Sequence, residues 1–109
     1  KYRHYAPKTP VLVVGGTVEA FEEVINPCKL QGKTIGVMAQ DVIVESLKDT
    51  VNGVYYMGES VDDMNRALFD GLRTLDHLGL DIILAQEAPE TGVGIAYMNR
   101  LKKAASTVL

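Results

Sequence analysis

The sequence predicts an α/β domain: a Rossmann-like, doubly wound sheet of four mainly parallel strands with helices on both faces, preceded by an extended arm. Three observations carry this. Short apolar runs occur four times, as "VLVV", "TIGVMAQ", "GVYYMG" and "DIILAQ". The stretches between and after them return apolar residues every three or four positions, the period of an amphipathic helix. Strands alternating with helices pair in parallel through right-handed crossovers.

The first ten residues, "KYRHYAPKTP", show no hydrophobic period. Pro7 and Pro10 fix two backbone angles and bias Ala6 and Thr9 toward extended shapes. Residues 1–10 therefore read as an arm, and residues 11–109 as the domain. "VLVV" (11–14) is a continuous apolar run of the kind buried on both sheet faces, closed by Gly15 and Gly16. Val18, Phe21, Val24 and Ile25 then mark a helix over 18–25, expected to stop at Asn26 because Pro27 follows. The second strand is expected at 34–40, with a short helix at 42–49 behind Asp41 as N-cap. The third strand is expected at 53–58.

Ser60 and Asp63 form a capping-box pattern ahead of the longest helix, about 61–78. Its stripe is Val61, Met64, Leu68, Leu72, Leu75 and Leu78, and Gly79 before Leu80 is a Schellman-type stop. The fourth strand is expected at 81–86 and the last helix at 94–106, ending in basic residues that suit its negative end. For strand order, 3-2-1-4 is favoured over 2-1-3-4, because the long third helix has the length to carry the chain back across the sheet.

At 109 residues the chain is one domain, which buries about two-thirds of the surface its unfolded form exposes. No apolar run reaches the roughly 18 residues of a membrane span. Cys28 is the one cysteine, so no intrachain disulfide forms, which suits a reducing cytoplasm. The net charge is −3 even though Lys1, Arg3 and Lys8 sit together in the arm, so direct nucleic-acid binding is not expected. The chain begins at Lys1 rather than Met, as a piece of a longer protein would.

In such a sheet ligands bind beyond the carboxyl ends of the strands, where the order reverses. Gly15, Gly16 and Thr17 are expected to face Gln86, Glu87, Thr91 and Gly92 there. Glycines admit a ligand to the backbone and a helix start favours an anion, but "GGTVEA" lacks the three spaced glycines of a dinucleotide fingerprint. Those glycines equally make a plain strand-to-helix turn. Glu87 and Glu90 are a candidate acid/base pair or a solvated loop. His4 and His77 lack companions at metal-ligand spacing, so no metal site is expected. Cys28 has no nearby base and reads as a small packed residue. The arm remains: Lys1, Arg3 and His4 offer donors to an oxyanion, and Tyr2 and Tyr5 offer flat faces.

"KYRHYAP" resembles the interdomain linker of two-domain threonylcarbamoyl-AMP synthases of the Sua/YciO/YrdC type. "NRALFDGLRTLDHLGLDIILAQ" is similar to that family's L-F-x-x-L-R-x-L-D stretch with its glycine turn and strand. "TGVGIAYMNRLKKAA" is similar to its closing helix. The resemblance covers essentially the whole chain and implies the small C-terminal domain that follows a YrdC-like catalytic domain. It implies that the parent makes threonylcarbamoyl-AMP and pyrophosphate from L-threonine, bicarbonate and ATP for tRNA modification. ATP is then a substrate, with Mg, bound by the catalytic domain, and this chain holds no cofactor of its own. It further implies that the linker closes the catalytic cavity, through Tyr5 first and then Arg3, His4 and Lys1. Arg73 and Arg100 are read as structural charge partners. Two other readings stand beside this one: a small-ligand sensor at the Gly15–Glu87 crevice, and a domain-interaction module.

Overall fold

The structure is a computed structural model that describes the backbone of residues 6–108 and the side chains of residues 6–106. Four strands fall on the four apolar runs: β1 (Val11–Val14), β2 (Ile35–Ala39), β3 (Gly53–Tyr56) and β4 (Ile82–Gln86). Each leads into a helix: α1 (Val18–Leu30), α2 (Asp41–Leu47), α3 (Val61–Asp76) and α4 (Val93–Ala104). A two-residue strand not expected from the sequence, β5 (Thr107–Val108), follows α4.

The sheet is parallel and its order is β3-β2-β4-β1-β5. This corrects both expected orders: β4 enters between β1 and β2. Burial supplies the reason. Ile83, Leu84 and Ala85 of β4 are wholly buried, so an edge position, which 3-2-1-4 and 2-1-3-4 both give β4, would waste them. The half-buried β3, ending on exposed Tyr56, takes an edge instead. The chain steps from β1 past one vacant place to β2 and on to β3, then returns through that place to β4 and leaves over β1. A constant crossover hand on a reversed march puts the returning helices on the opposite face.

Two cores result, one on each face. The "VLVV" run divides between them: Val11 and Val13 pack with α3 and α4, and Val14 packs with α1 and α2. In β2, Met38 joins the first core while Ile35, Val37 and Ala39 join the second. Met64, Leu68, Leu72 and Leu75 of α3 are buried as its stripe requires, whereas Val61 is half-buried and Leu78 lies past the helix and exposed.

Several boundaries move. α1 runs through Pro27 to Leu30. Pro27 sits on the exposed flank, where a carbonyl that loses its amide partner turns to water instead of being stranded. Asp41 is the first residue of α2 and not its cap; Gln40 holds the cap position without a side-chain bond to the helix's own amides. The Asp41 carboxylate accepts the Gly58 N–H at 2.9 Å, tying α2 to the end of β3. α4 ends at Ala104 because the chain then extends onto β1, with Ser106 N–H donating to the Val11 carbonyl at 2.7 Å.

Candidate functional site

The place expected for the crevice, beyond the carboxyl ends of β1 and β4, survives the different strand order, because β1 and β4 are neighbours and their helices leave to opposite faces. A Cβ on Gly16 would lie 3.2 Å from Gln86 Nε2, and one on Gly15 would lie 3.9 Å from Glu87 Oε2. Gly15 and Gly16 therefore back directly onto Gln86 and Glu87. Thr17 is turned to its own helix, where its hydroxyl accepts the Ala20 N–H at 3.0 Å. Gln86 is buried and engaged with Gln40, which sequence reasoning missed. Gln86 Oε1 accepts the Gln40 N–H and Gln86 Nε2 donates to Gln40 Oε1, both at 2.8 Å. Gln40 Nε2 in turn donates to the Glu59 carbonyl at 2.5 Å. Behind them the buried Tyr97 hydroxyl donates to the Gln86 carbonyl at 2.6 Å, and burial pushes its ionisation well above the ordinary tyrosine range. Gln86 is thus spent on structure, sewing β4 to the β2–α2 turn.

The arm leaves from the other end of the sheet. β1 starts at Val11, so residues 6–10 lie at the amino ends of the strands, opposite the crevice. Thr9 is buried there at 7% exposure. Its N–H donates to Asp76 Oδ1 at 2.9 Å, and the Lys8 N–H donates to Asp76 Oδ2 at 3.2 Å. The Pro10 carbonyl accepts the Ile83 N–H at 2.9 Å, so the arm merges into the β1–β4 ladder. Asp76 is the second residue that sequence reasoning missed. Lys1, Arg3, His4 and Tyr5 lie outside the described residues.

The remaining candidates take structural partners. Glu90 pairs with Lys102 of α4 at 2.7 Å, beside a shallow hollow of about 340 Å³ that Ile95, Asn99 and Lys103 also line, and Glu87 is exposed. The Thr91 carbonyl accepts the Gly94 N–H at 3.0 Å in the turn that opens α4. His77 closes α3, with Nδ1 at 2.7 Å from the Arg73 carbonyl. Arg73 lies 3.8 Å from Asp70 on the surface, and Arg100 joins α4 to α3 through Asn65 Oδ1 at 2.6 Å. Cys28 packs on the α1–α2 core. Tyr55 donates to Asp70 at 2.5 Å, and that bond, more than its partial burial, pushes its ionisation up to about 12. Among the described residues no three His, Cys, Asp or Glu side chains converge as metal ligands.

Fold and site define a doubly wound α/β module that carries a pinned N-terminal arm. The family model described as Threonylcarbamoyl-AMP synthase, C-terminal domain, matches residues 1–106, and the chain belongs to that family. It is 42% identical over 108 residues to the threonylcarbamoyl-AMP synthase of Pyrococcus abyssi, covering 95% of this chain and 30% of the relative. With the Bacillus subtilis enzyme of that name it is 34% identical over 110 residues, covering 96% and 30%. Among solved structures it is similar to the C-terminal Sua5 domain from Pyrococcus horikoshii (TM-score 0.73, 32% identity, 94% of this chain and 98% of that one). It is also similar to P. abyssi Sua5 complexed with L-threonine (TM-score 0.78, 38% identity, 99% and 32%). The chain thus spans 30% of the length of these two curated relatives.

Proposed function

We propose that this chain is the accessory C-terminal domain, with the end of the interdomain linker, of a two-domain L-threonylcarbamoyladenylate synthase. The parent forms threonylcarbamoyl-AMP and pyrophosphate from L-threonine, bicarbonate and ATP, and the product feeds threonylcarbamoyladenosine formation in tRNA. The substrates, ATP with Mg among them, are held by an N-terminal YrdC-like domain of the same protein. Lys1, Arg3, His4 and Tyr5 reach over that domain's cavity. Arg3 supplies a bidentate grip on phosphate, and Tyr5 supplies a ring that covers the nucleotide and keeps water out.

The observation that carries this reading is that one family match runs from the arm to the end of α4, so arm and domain form a single unit. The crevice supports it from the other side, since Gln86 is already paired with Gln40. No helix among the described residues is long and apolar enough to cross a membrane, and Cys28, the one cysteine of the sequence, suits the reducing cytoplasm that this reading expects. The test is pyrophosphate release that depends on threonine and bicarbonate. The full-length parent should turn over and the 109-residue chain should not. Clear turnover by the chain alone, or none by the parent, overturns the reading.

A further inference from the structure

The carboxylate of Asp76 holds two successive backbone N–H groups of the arm, those of Lys8 and Thr9, one on each oxygen. Asp76 is the last residue of α3, whose final turn is tightened by His77 against the Arg73 carbonyl. On the arm's side the clamp lies between Pro7 and Pro10, whose rings fix the backbone on either side of it. The Pro10 carbonyl is itself held by β4. The motif L-F-x-x-L-R-x-L-D closes on this acid, and the structure gives it a partner 67 and 68 residues away in sequence.

We propose that Asp76 is a positioning residue for the linker: it makes the arm a stiff extension of α3 and so fixes where residues 1–5 are delivered. This rests on the reading that the linker closes a neighbouring catalytic cavity. Without the clamp the arm pivots at Pro10, whose carbonyl β4 still holds, instead of near Pro7. Three further loose residues add about 10 Å of reach at 3.3–3.6 Å each, and the local concentration of the arm's tip at its target falls as that volume grows.

Two measurements separate the clamp from the function it serves. In the 109-residue chain, hydrogen exchange should show protected Lys8 and Thr9 amides, and Asp76→Ala should release these two while Val37 and Leu84 stay protected. Unchanged exchange at Lys8 and Thr9 overturns the clamp. In the full-length parent, Asp76→Ala should lower kcat/KM for ATP about tenfold, through KM, with kcat at saturating ATP within about twofold. A merely destabilised domain lowers kcat through lost active protein and leaves KM alone, and that outcome, or an unchanged kcat/KM, overturns the positioning role. Should the Ala variant fail to fold, Asp76→Asn, which keeps one acceptor oxygen, carries both comparisons. An inactive wild-type parent counts against the proposed function and leaves the exchange result standing.

Discussion

Gly94 lies in the first turn of α4 with the Pro89 carbonyl pressed against it, so that a Cβ there would sit 1.8 Å from that oxygen. Two effects of a Gly94→Ala change oppose each other. Alanine favours the helix by about 1 kcal/mol. The contact is with backbone, and that backbone is fixed on both sides: buried Ala88 donates its N–H to Met98 Sδ, and Glu90 is paired with Lys102. The loop has little room to yield, so the steric effect wins and the variant should lose about 1–3 kcal/mol. A thermal melt should fall by roughly 5 °C or more; a melt that rises shows the loop giving way. The sequence offered no sign of this contact, since glycine in "TGVGIA" reads equally as a flexible turn. The Gln40–Gln86 pair did leave a trace. The deeply buried apolar runs that form β2 and β4 are each closed by Ala-Gln in the sequence, at 39–40 and 85–86, and a glutamine closing an apolar run needs a partner for its amide. A second apolar run closed the same way supplies the natural one.

The start of α3 shows an element specified locally. Ser60 Oγ accepts the Asp63 N–H at 3.0 Å, and Asp63 Oδ2 accepts the N–H groups of Ser60 and Glu59 at 3.1 and 3.0 Å. The Ser60 backbone bond first, then that of Glu59, holds the Asp63 carboxyl below its ordinary value of 3.8. A depressed folded value means that Asp63 stabilises the fold at any pH above 3.8 and loses that contribution as pH falls through the folded value. Wild type should therefore exceed Asp63→Asn in urea midpoint at about pH 6, and the gap should narrow at about pH 3. A gap that is constant or grows in acid contradicts the cap's charge dependence. This box was legible because all its partners lie within five residues. The end of α1 was not, because the cost of Pro27 depends on whether the freed carbonyl meets water, which is a tertiary fact. β5 was not legible either. Thr107 and Val108 form a strand only against β1, whose Val11 N–H reaches Ser106 Oγ across 95 residues of sequence.

At the scale of the molecule, alternation of strand and helix made the fold class legible, and burial of β4 decided the order that alternation leaves open. The crevice and the arm stand at opposite ends of the sheet, so a partner that meets the arm approaches the amino ends of the strands. Under the proposed function, residues 1–5 act on a neighbouring domain at that end. Tyr5 tests the assignment in the full-length parent. In the sequence Tyr5 directly precedes the Ala6–Pro7 pair, whose proline limits how the arm bends. If the ring packs over bound nucleotide or its hydroxyl reaches the phosphates, Tyr5→Ala should lower adenylate formation at least about tenfold, equal to about 1.4 kcal/mol of transition-state stabilisation. The melting temperature should stay within about a degree, because Tyr5 precedes in sequence the residues that build the core, which begin at Val11. Tyr5→Phe separates the two roles: a mild loss assigns the effect to stacking, and a full loss assigns it to the hydroxyl. Near wild-type turnover in Tyr5→Ala, with Lys8 and Thr9 still protected from exchange, shows that Tyr5 is linker alone and that closure falls to Arg3, His4 or Lys1.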